Sequence, residues 1–437
     1  MFRRFVALLS ALLLVPVVMP PAAHAGGHRL RPVVFVHGFS GSGGQFETQA
    51  RRLAANGYPA DHIEAHEYDS LFTVNTREQV FAALDQRIAR LRKKTRADRV
   101  DLLAHSLGTS LMQTYLRSSP ARAATVAHYV NLDGASSADL PGGVPTLAVW
   151  GEGSTERKVG GAANVYFSDQ SHTQVVTSTD TFARFYAFFT GRSPRTTAVT
   201  PQHGTVRLSG RAVLFPTNVG ADGARLEIYR VDPRTGERTT RRPAATYQIS
   251  GDGSWGPFKA RGDAHYEFAV VWSGTAVHHL YFEPFRRTDA LVRLLTSRPG
   301  EGLAGLMDVS ERHSALVINR QKEWWGDQGA AGDSLRINGR EVLNAANTPR
   351  TKRTIGIFAY DAGSDGVTDL SAPIPQFFAQ PFITGLDLYV PAAGRPDRPI
   401  SVVSHPRGGD GHVDSLTIPS LPSNEHRISV QLDDYVR

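Results

Sequence analysis

The sequence contains no cysteine among its 437 residues. A chain without cysteine forms no disulfides, so burial of apolar side chains must stabilise its fold. The formal net charge is +7, a modest basic excess. No basic stripe interleaved with aromatic side chains is present, so we do not expect nucleic acid as a partner. Hydrophobic residues make up 41% and charged residues 20% of the chain, as in folded soluble proteins.

Long hydrophobic runs are also scarce, and the one clear run lies at the amino terminus. Arg3 and Arg4 precede an apolar stretch at residues 5–19, and Ala23-His24-Ala25 follows it. These are the three parts of a secretory signal, so we expect residues 1–25 to be removed and the protein to be secreted and extracellular. A membrane anchor is the alternative, but the run is shorter than the ~20 residues that span a bilayer.

Residues 31–191 alternate short apolar runs with amphipathic stretches. The pattern predicts strands at 33–36, 63–68, 100–104, 127–132, 146–150 and 164–167. It predicts helices at 45–56, 76–95, 107–117 and 180–190. Strands that alternate with helices form a mostly parallel sheet covered on both faces, so the predicted fold class is α/β with a doubly wound sheet.

The sequence changes character after residue 191. Residues 192–202 are polar and contain proline, as in a linker, and short strands with frequent turn signals follow. We therefore predict a catalytic domain at 26–195 and a β-rich, barrel-like or sandwich-like domain at 196–437. The second domain either stays whole or divides into two subdomains near residues 285–299.

Ser106 lies in the run Ala104-His105-Ser106-Leu107-Gly108, between a predicted strand and a predicted helix. A serine at such a turn, flanked by small residues two positions before and after it, is the nucleophile elbow of α/β-hydrolases. The tight turn exposes the hydroxyl and directs the next backbone N–H at the substrate oxyanion. The motif alone is common, and its place between strand and helix makes it specific.

A second oxyanion donor is expected from the glycine-rich segment that follows the first strand, at residues 37–44. Glycine lets the backbone approach a ligand closely. We therefore predict Phe39 and Leu107 as the oxyanion donors, and Phe39 and Phe72 as contacts of the substrate. His37 is expected to order this loop rather than to act as a base.

The catalytic base should follow the last strand of the sheet, and His172 does so. A carboxylate must orient the imidazole and stabilise its cation. Asp133 and Glu152 each follow a predicted strand, at the carboxyl end where catalytic groups gather. Spacing alone leaves these two acids nearly equal.

Residues 31–195 resemble the archaeal long-chain lipases that carry a β-rich C-terminal domain. The resemblance rests on six segments: VHGFSGSGGQFETQARRLAANGYPA, EYD, VDLLAHSLGTS, SSPARAATVAHYVNLDG, GVPTLAVWG and NVYFSDQSH. It implies an α/β-hydrolase fold, with Ser106 as nucleophile, Asp133 as acid and His172 as base. It also implies Phe39 and Leu107 as oxyanion donors, and it selects Asp133 over Glu152.

One departure from the resemblance concerns substrate. The archaeal relatives have a long lid insertion after the EYD segment, whereas residues 69–75 here join strand to helix directly. A full lid is therefore not expected, and shorter or soluble esters become candidate substrates.

The predicted function is that of a secreted serine ester hydrolase, a lipase or esterase, that needs no metal or organic cofactor. A polyester depolymerase or an amidase would use the same machinery, and a surface-binding module with an inactive hydrolase half is the non-enzymatic alternative. The expected partner is a small-molecule or lipid ester. Transient contact with a lipid or polymer surface is also expected.

Overall fold

A computed structural model describes residues 30–272, 276–392, 398–409 and 411–433. The predicted secretory signal at residues 1–25 lies outside these ranges. Within them, no helix combines the length and the apolar character needed to cross a membrane.

A six-stranded parallel sheet forms the first half of the molecule, in the order β2-β1-β3-β4-β5-β6. Its strands are β1 (Val33–Val36), β2 (Ile63–His66), β3 (Val100–His105), β4 (Val126–Leu132), β5 (Thr146–Trp150) and β6 (Ala163–Tyr166). Each predicted strand is present within two residues of its expected ends. The all-parallel order, with a strand-to-helix turn after the central β3, is that of an α/β-hydrolase.

Helices cover both faces of this sheet. They are α1 (Glu47–Ala55), α2 (Arg77–Thr95), α3 (Leu107–Ser118), α4 (Pro120–Ala124), α5 (Gln174–Thr177) and α6 (Thr179–Thr190). Side chains of α1, α5 and α6 share one buried core with the sheet, and those of α2, α3 and α4 share the other. The sequence did not predict α4 or α5, because each has at most five residues and no visible periodicity.

The described residues of the second half form three further sheets and one short α-helix, α7 (Pro375–Phe378). An eight-stranded sheet has the order β10-β9-β12-β13-β22-β15-β18-β19. Its strands are β9 (Arg225–Val231), β10 (Ala245–Gln248), β12 (His265–Val271), β13 (Val277–Phe282), β15 (Leu316–Asn319), β18 (Gly356–Tyr360), β19 (Ile383–Asp387) and β22 (His426–Gln431).

Two smaller sheets pack on it. One contains β7 (Thr205–Leu214), β8 (Val219–Gly220), β11 (Ser254–Arg261) and β14 (Asp289–Thr296). The other contains β16 (Ser334–Ile337), β17 (Arg340–Glu341), β20 (Ile400–His405) and β21 (Asp414–Ile418). Each small sheet buries its own apolar core against one part of the large sheet.

The large sheet therefore belongs to two sandwich-like cores at once. The last strand, β22, lies between β13 and β15 and pairs in parallel with both. β22 thus connects the strands of the two cores within one sheet, and the β-rich half is continuous through that sheet. The two cores themselves are formed by different stretches of the chain.

Candidate active site

Ser106 occupies a strained turn between β3 and α3, with φ 52° and ψ −124°. The neighbouring glycines are required by close contacts. A Cβ on Gly108 would lie 2.4 Å from the carbonyl oxygen of His37, and a Cβ on Gly38 would lie 2.8 Å from the Cβ of Ser106. The elbow and the glycine-rich loop after β1 are therefore packed backbone to backbone.

The structure brings the predicted nucleophile, base and acid into one chain of hydrogen bonds. The hydroxyl of Ser106 lies 3.0 Å from Nε2 of His172, and Nδ1 of His172 lies 2.7 Å from Oδ2 of Asp133. The three residues follow three different elements: the end of β3, the end of β4 and the loop after β6. This arrangement can pass a proton from a serine hydroxyl to an imidazole whose cation faces a carboxylate.

The protein holds Asp133 in its charged form. Oδ1 accepts hydrogen bonds from the backbone N–H of Gly151 and from the hydroxyl of Ser154, each at 3.0 Å. Burial alone would raise the pKa of Asp133, but the hydrogen bond and charge of His172, with these donors, lower it to about 2. Glu152, the alternative acid, forms an ion pair with Arg350 of the second half instead.

Two other histidines lie close to the elbow, and burial keeps both neutral. Burial and the neighbouring His172 lower the pKa of His105 well below its ordinary value. Its Nε2 lies 3.0 Å from the carbonyl of His172, and its Nδ1 lies 2.9 Å from the amide nitrogen of Gln45. Burial likewise lowers the pKa of His37, whose ring stacks on Tyr68 at 4.3 Å. His105 and His37 thus connect loops around the site.

The predicted oxyanion donors, Phe39 and Leu107, belong to the loop after β1 and to the start of α3. Leu107 is the first residue of α3, and Phe39 lines the cleft above Ser106. The Phe39 loop is fixed by the neighbouring loop after β2. Ser40 N–H donates to the hydroxyl of Ser70 at 2.9 Å, and Gly43 N–H donates to the carboxylate of Glu67 at 3.0 Å.

The β-rich half also holds this loop. Asn218, at φ 59°, donates from its amide to the carbonyl of Gly41 at 2.8 Å and to that of Tyr68 at 3.1 Å. Arg293 pairs with Glu67 at 2.5 Å in a buried contact. The Phe39 loop is therefore positioned by residues more than one hundred positions away in the chain.

The loop that carries His172 is held by the same half. The carboxylate of Glu323 is fully buried and accepts hydrogen bonds from Thr173 N–H at 2.6 Å, from Gln174 N–H at 3.2 Å and from the Ser171 hydroxyl. Arg407 donates to the side-chain oxygen of Gln174 at 3.0 Å. Glu323 thus contacts both neighbours of His172 in sequence.

The cleft above Ser106 is closed by the β-rich half. Gln321, Ile355 and Phe382 line it opposite Ser106, and the Phe382 ring is nearly parallel to the His172 ring at 6.4 Å. The sequence predicted no lid because residues 69–75 are short. The covering elements are instead contributed by the second half of the chain.

A cavity of about 380 Å³ continues from this cleft between the two halves. It shares Phe39, Ile355 and Phe382 with the cleft. Its other apolar lining residues include Leu71, Phe215, Leu295, Leu303, Val317 and Phe358. Of the two predicted substrate contacts, Phe39 lines this cavity, whereas Phe72 packs beside Tyr68 at 6.0 Å and lines neither space.

Asn218, Glu323 and Phe382 could not be recognised as parts of the site from the sequence. Each acts through a contact between distant parts of the chain, and none belongs to a short motif. Glu323 precedes Trp324 and Trp325, which are buried and stack on the guanidinium groups of Arg320 and Arg407. Within the described ranges, no group of three or more His, Asp or Glu side chains could hold a metal ion.

Three family models match successive stretches of the chain. Residues 39–157 match lecithin:cholesterol acyltransferase, and residues 204–299 match a lipase C-terminal domain. Residues 302–436 match a further C-terminal domain model. No curated protein matches the chain. The matched stretches are thus similar to lipid-ester hydrolases and acyltransferases, in the order catalytic domain, then C-terminal domain.

Two lipases and a phospholipase are among the solved structures with similarity to the chain. Bacillus licheniformis lipase BlEst2 in its propeptide form is 12% identical over 90% of this chain and 93% of that one, with a TM-score of 0.29. Aspergillus fumigatus lipase B is 13% identical over 41% of this chain and 57% of that one, with a TM-score of 0.31. Phospholipase PlaB from Legionella pneumophila is 12% identical over 55% of this chain and 86% of that one, with a TM-score of 0.26.

Proposed function

We propose that the protein is a secreted serine carboxylic-ester hydrolase that acts on lipid-like esters through an acyl-enzyme. The observation that carries the proposal is the chain of hydrogen bonds from Ser106 through His172 to Asp133, next to an apolar cavity. The similarity of residues 39–157 and 204–299 to lipid-acting families supports the same class.

In the first half of the reaction, Oγ of Ser106 attacks the ester carbonyl carbon while Nε2 of His172 takes the hydroxyl proton. Asp133, bonded to Nδ1, stabilises the imidazolium that forms. The tetrahedral intermediate then collapses. The bond to the leaving alcohol breaks, His172 returns the proton to the alcohol oxygen, and the acyl group stays on Ser106.

Water completes the cycle. It attacks the acyl carbonyl carbon as His172 takes one of its protons. The bond from that carbon to Oγ of Ser106 then breaks, His172 returns the proton to Oγ, and the fatty acid leaves. In both halves the negative charge develops on the carbonyl oxygen. The backbone N–H groups of Phe39 and Leu107 are the proposed donors to that oxygen, and one such donor is typically worth about 100- to 1,000-fold in rate.

The cavity favours a long acyl chain over the short or soluble esters expected from the sequence. An apolar space of about 380 Å³ that opens into the cleft offers burial to many methylene groups. Each buried methylene contributes about 0.8 kcal/mol, so binding should strengthen as the chain lengthens. Because the β-rich half covers Ser106, the absent lid insertion does not leave the site open.

Hydrolysis of p-nitrophenyl esters from acetate to palmitate in mixed micelles tests this function. We expect kcat/KM to rise with chain length and Ser106→Ala to lower it by roughly 10⁴-fold or more. Ser110→Ala, on the exposed face of α3, is the matched control and should keep the rate. Undiminished hydrolysis by Ser106→Ala would contradict the proposal, and a fall in kcat/KM with chain length would contradict the long-chain substrate.

A further inference from the structure

The floor of the large cavity is one face of the eight-stranded sheet, and one end of this floor borders the cleft. Asn319 pairs with Gly356 across β15 and β18, and Gly356 pairs with Ile383 across β18 and β19. Ile355 directly precedes Gly356, and Phe382 directly precedes Ile383. Ile355 and Phe382 therefore lie beside each other at the end of the floor that borders the cleft. Both are apolar and both also line the cleft.

The middle of the floor is mostly apolar, and the one hydroxyl in it, that of Ser429, is hydrogen-bonded to His278. Val317 pairs with Phe358 on one side and with Ser429 on the other, and all three line the cavity. The alternate residues of these strands, such as Leu316 and Ile428, face the opposite side of the sheet and belong to a buried core.

The far end of the floor is polar. Arg427 pairs with His278 across β22 and β13, and both line the cavity. Gln431 pairs with Asn319, and Arg427 lies four residues before Gln431 on β22. At ~3.3 Å per residue, Arg427 is therefore about 13 Å from Asn319, measured along the strands. The Ser106 cleft lies beyond Asn319 in the opposite direction from Arg427.

Arg427 is a cation without an acidic partner. It donates to the hydroxyl of Ser297 at 2.7 Å, to the carbonyl of Ser297 at 2.8 Å and to the Thr296 hydroxyl at 3.3 Å, all neutral acceptors. Across the described ranges, no carboxylate lies within 4.0 Å of its guanidinium. Its Nε is buried and has no hydrogen-bond partner there.

The surroundings of Arg427 supply no compensating charge. Burial lowers the pKa of His278 well below its ordinary value, so that ring is neutral, and it is hydrogen-bonded to Thr296 and Ser429. Burial also lowers the pKa of Arg427 to about 10, which leaves it charged at neutral pH. Arg427 is half-buried. A charge partly withdrawn from water without a counter-charge is costly, and an anion in the cavity would relieve that cost.

Resting on the proposed ester hydrolysis, we propose that the cavity takes an acyl chain whose far end carries a carboxylate, and that Arg427 binds this carboxylate. The substrate class is then the monoester of a long-chain dicarboxylic acid. The apolar middle of the floor contacts the methylene chain while the ester carbonyl lies at Ser106. The phosphate of a phospholipid lies only a few bonds from the ester, so it cannot reach Arg427 from the same cleft.

The hydrogen bonds of Arg427 to Ser297 and Thr296 fix the guanidinium in place at the cavity wall. They satisfy N–H donors but do not neutralise the charge, because none of the acceptors is ionised. Charge-assisted hydrogen bonds to a carboxylate are worth about 1.5–3 kcal/mol, which corresponds to roughly tenfold to a hundredfold in kcat/KM.

The test compares two p-nitrophenyl monoesters of hexadecanedioic acid, one with a free far carboxylate and one with that carboxyl capped as a methyl ester. For the wild type we expect kcat/KM to favour the free carboxylate by about tenfold or more. Arg427→Met should remove this preference while hydrolysis of the capped ester continues, and Arg427→Lys should keep part of it. Arg298→Met, which removes an exposed charge nearby, is the matched control and should leave the preference unchanged.

If Arg427→Met does not fold, the wild-type comparison still tests the preference for a far carboxylate, and Arg427→Lys tests whether Arg427 causes it. Equal rates on the two esters, or a preference that survives in Arg427→Met, would overturn the role of Arg427 while leaving ester hydrolysis intact. Failure to hydrolyse either ester would count against the proposed function itself and therefore against this inference with it.

Discussion

The carboxylate of Glu323 accepts the backbone N–H of Thr173 at 2.6 Å, directly beside His172. One residue belongs to the β-rich half and the other to the loop of the candidate base. Asn218 makes a similar contact to the loop that carries Phe39. The second half of the chain therefore helps to position both loops of the candidate site.

Glu323→Gln should weaken catalysis through His172. The neutral amide accepts fewer hydrogen bonds than the carboxylate from Ser171, Thr173 and Gln174, so the loop should lose its fixed position. We expect kcat to fall by about ten- to a hundredfold with little change in KM, because misplacement of a catalytic group by ~1 Å can cost that much. Glu311→Gln, at an exposed position, is the control. A drop confined to KM or to thermal stability would contradict a positioning role.

Asn218→Gly should act on the oxyanion loop. Glycine tolerates the positive φ of this position, so the change removes the amide contacts to Gly41 and Tyr68 without backbone strain. We expect kcat/KM to fall by about tenfold, less than for the loss of a direct donor. Asn338→Gly makes the same substitution at an exposed positive-φ residue and should keep full activity. Equal activities of the two variants would show that Asn218 does not position the loop.

Asp133→Asn should be far more damaging than Glu152→Gln. The first change removes the charge beside Nδ1 of His172, and a comparable change in another triad lowers kcat about 10⁴-fold. The second removes only the ion pair with Arg350 and should stay within a few-fold of the wild type. Steady-state kinetics on one soluble ester measure both. The reverse order of losses would identify Glu152 as the acid.

Asp133 should also make stability depend on pH in acid. Its pKa is lowered to about 2 in the folded protein, below the ordinary value of about 3.9. The charged carboxylate therefore contributes stability that is complete above pH ~4 and is lost as the pH falls through about 2. Of this contribution, about 1 kcal/mol should already be gone at pH ~3.

Urea unfolding of the wild type and of Asp133→Asn at pH ~6 and pH ~3 measures this contribution. The difference in unfolding free energy between the two proteins should shrink by about 1 kcal/mol at the lower pH. Carboxylates that do not contact Asp133 or His172 titrate alike in both proteins and cancel in the difference. A gap that stays constant would mean that the pKa of Asp133 is not lowered by the fold.

The α/β sheet and the triad geometry could be expected from the sequence because both depend on local signals. Short apolar runs gave all six parallel strands, and the small residues around Ser106 indicated the turn that the structure has. The choice of Asp133 over Glu152 did not follow from spacing, since both end strands of the same sheet. It required the resemblance to lipases, and the hydrogen bond to His172 agrees with it.

The closure of the site could not be expected from the sequence. Ile355 and Phe382 line the cleft and directly precede β18 and β19, two neighbouring strands of the eight-stranded sheet. In the same sheet the last strand, β22, lies between β13 and β15. Such pairings join residues far apart in the chain and leave no local pattern. The short segment at 69–75 therefore indicated only that a full lid insertion is missing, whereas residues of the other half of the molecule line the cleft.

The most direct test of the account is the covalent labelling of the intact protein with a long-chain fluorophosphonate, followed by mass spectrometry of its peptides. The account predicts one adduct, on Ser106, with labelling that is abolished in Ser106→Ala and strongly slowed in Asp133→Asn. An unlabelled folded protein, or an adduct on a different serine with Ser106 unmodified, would contradict it.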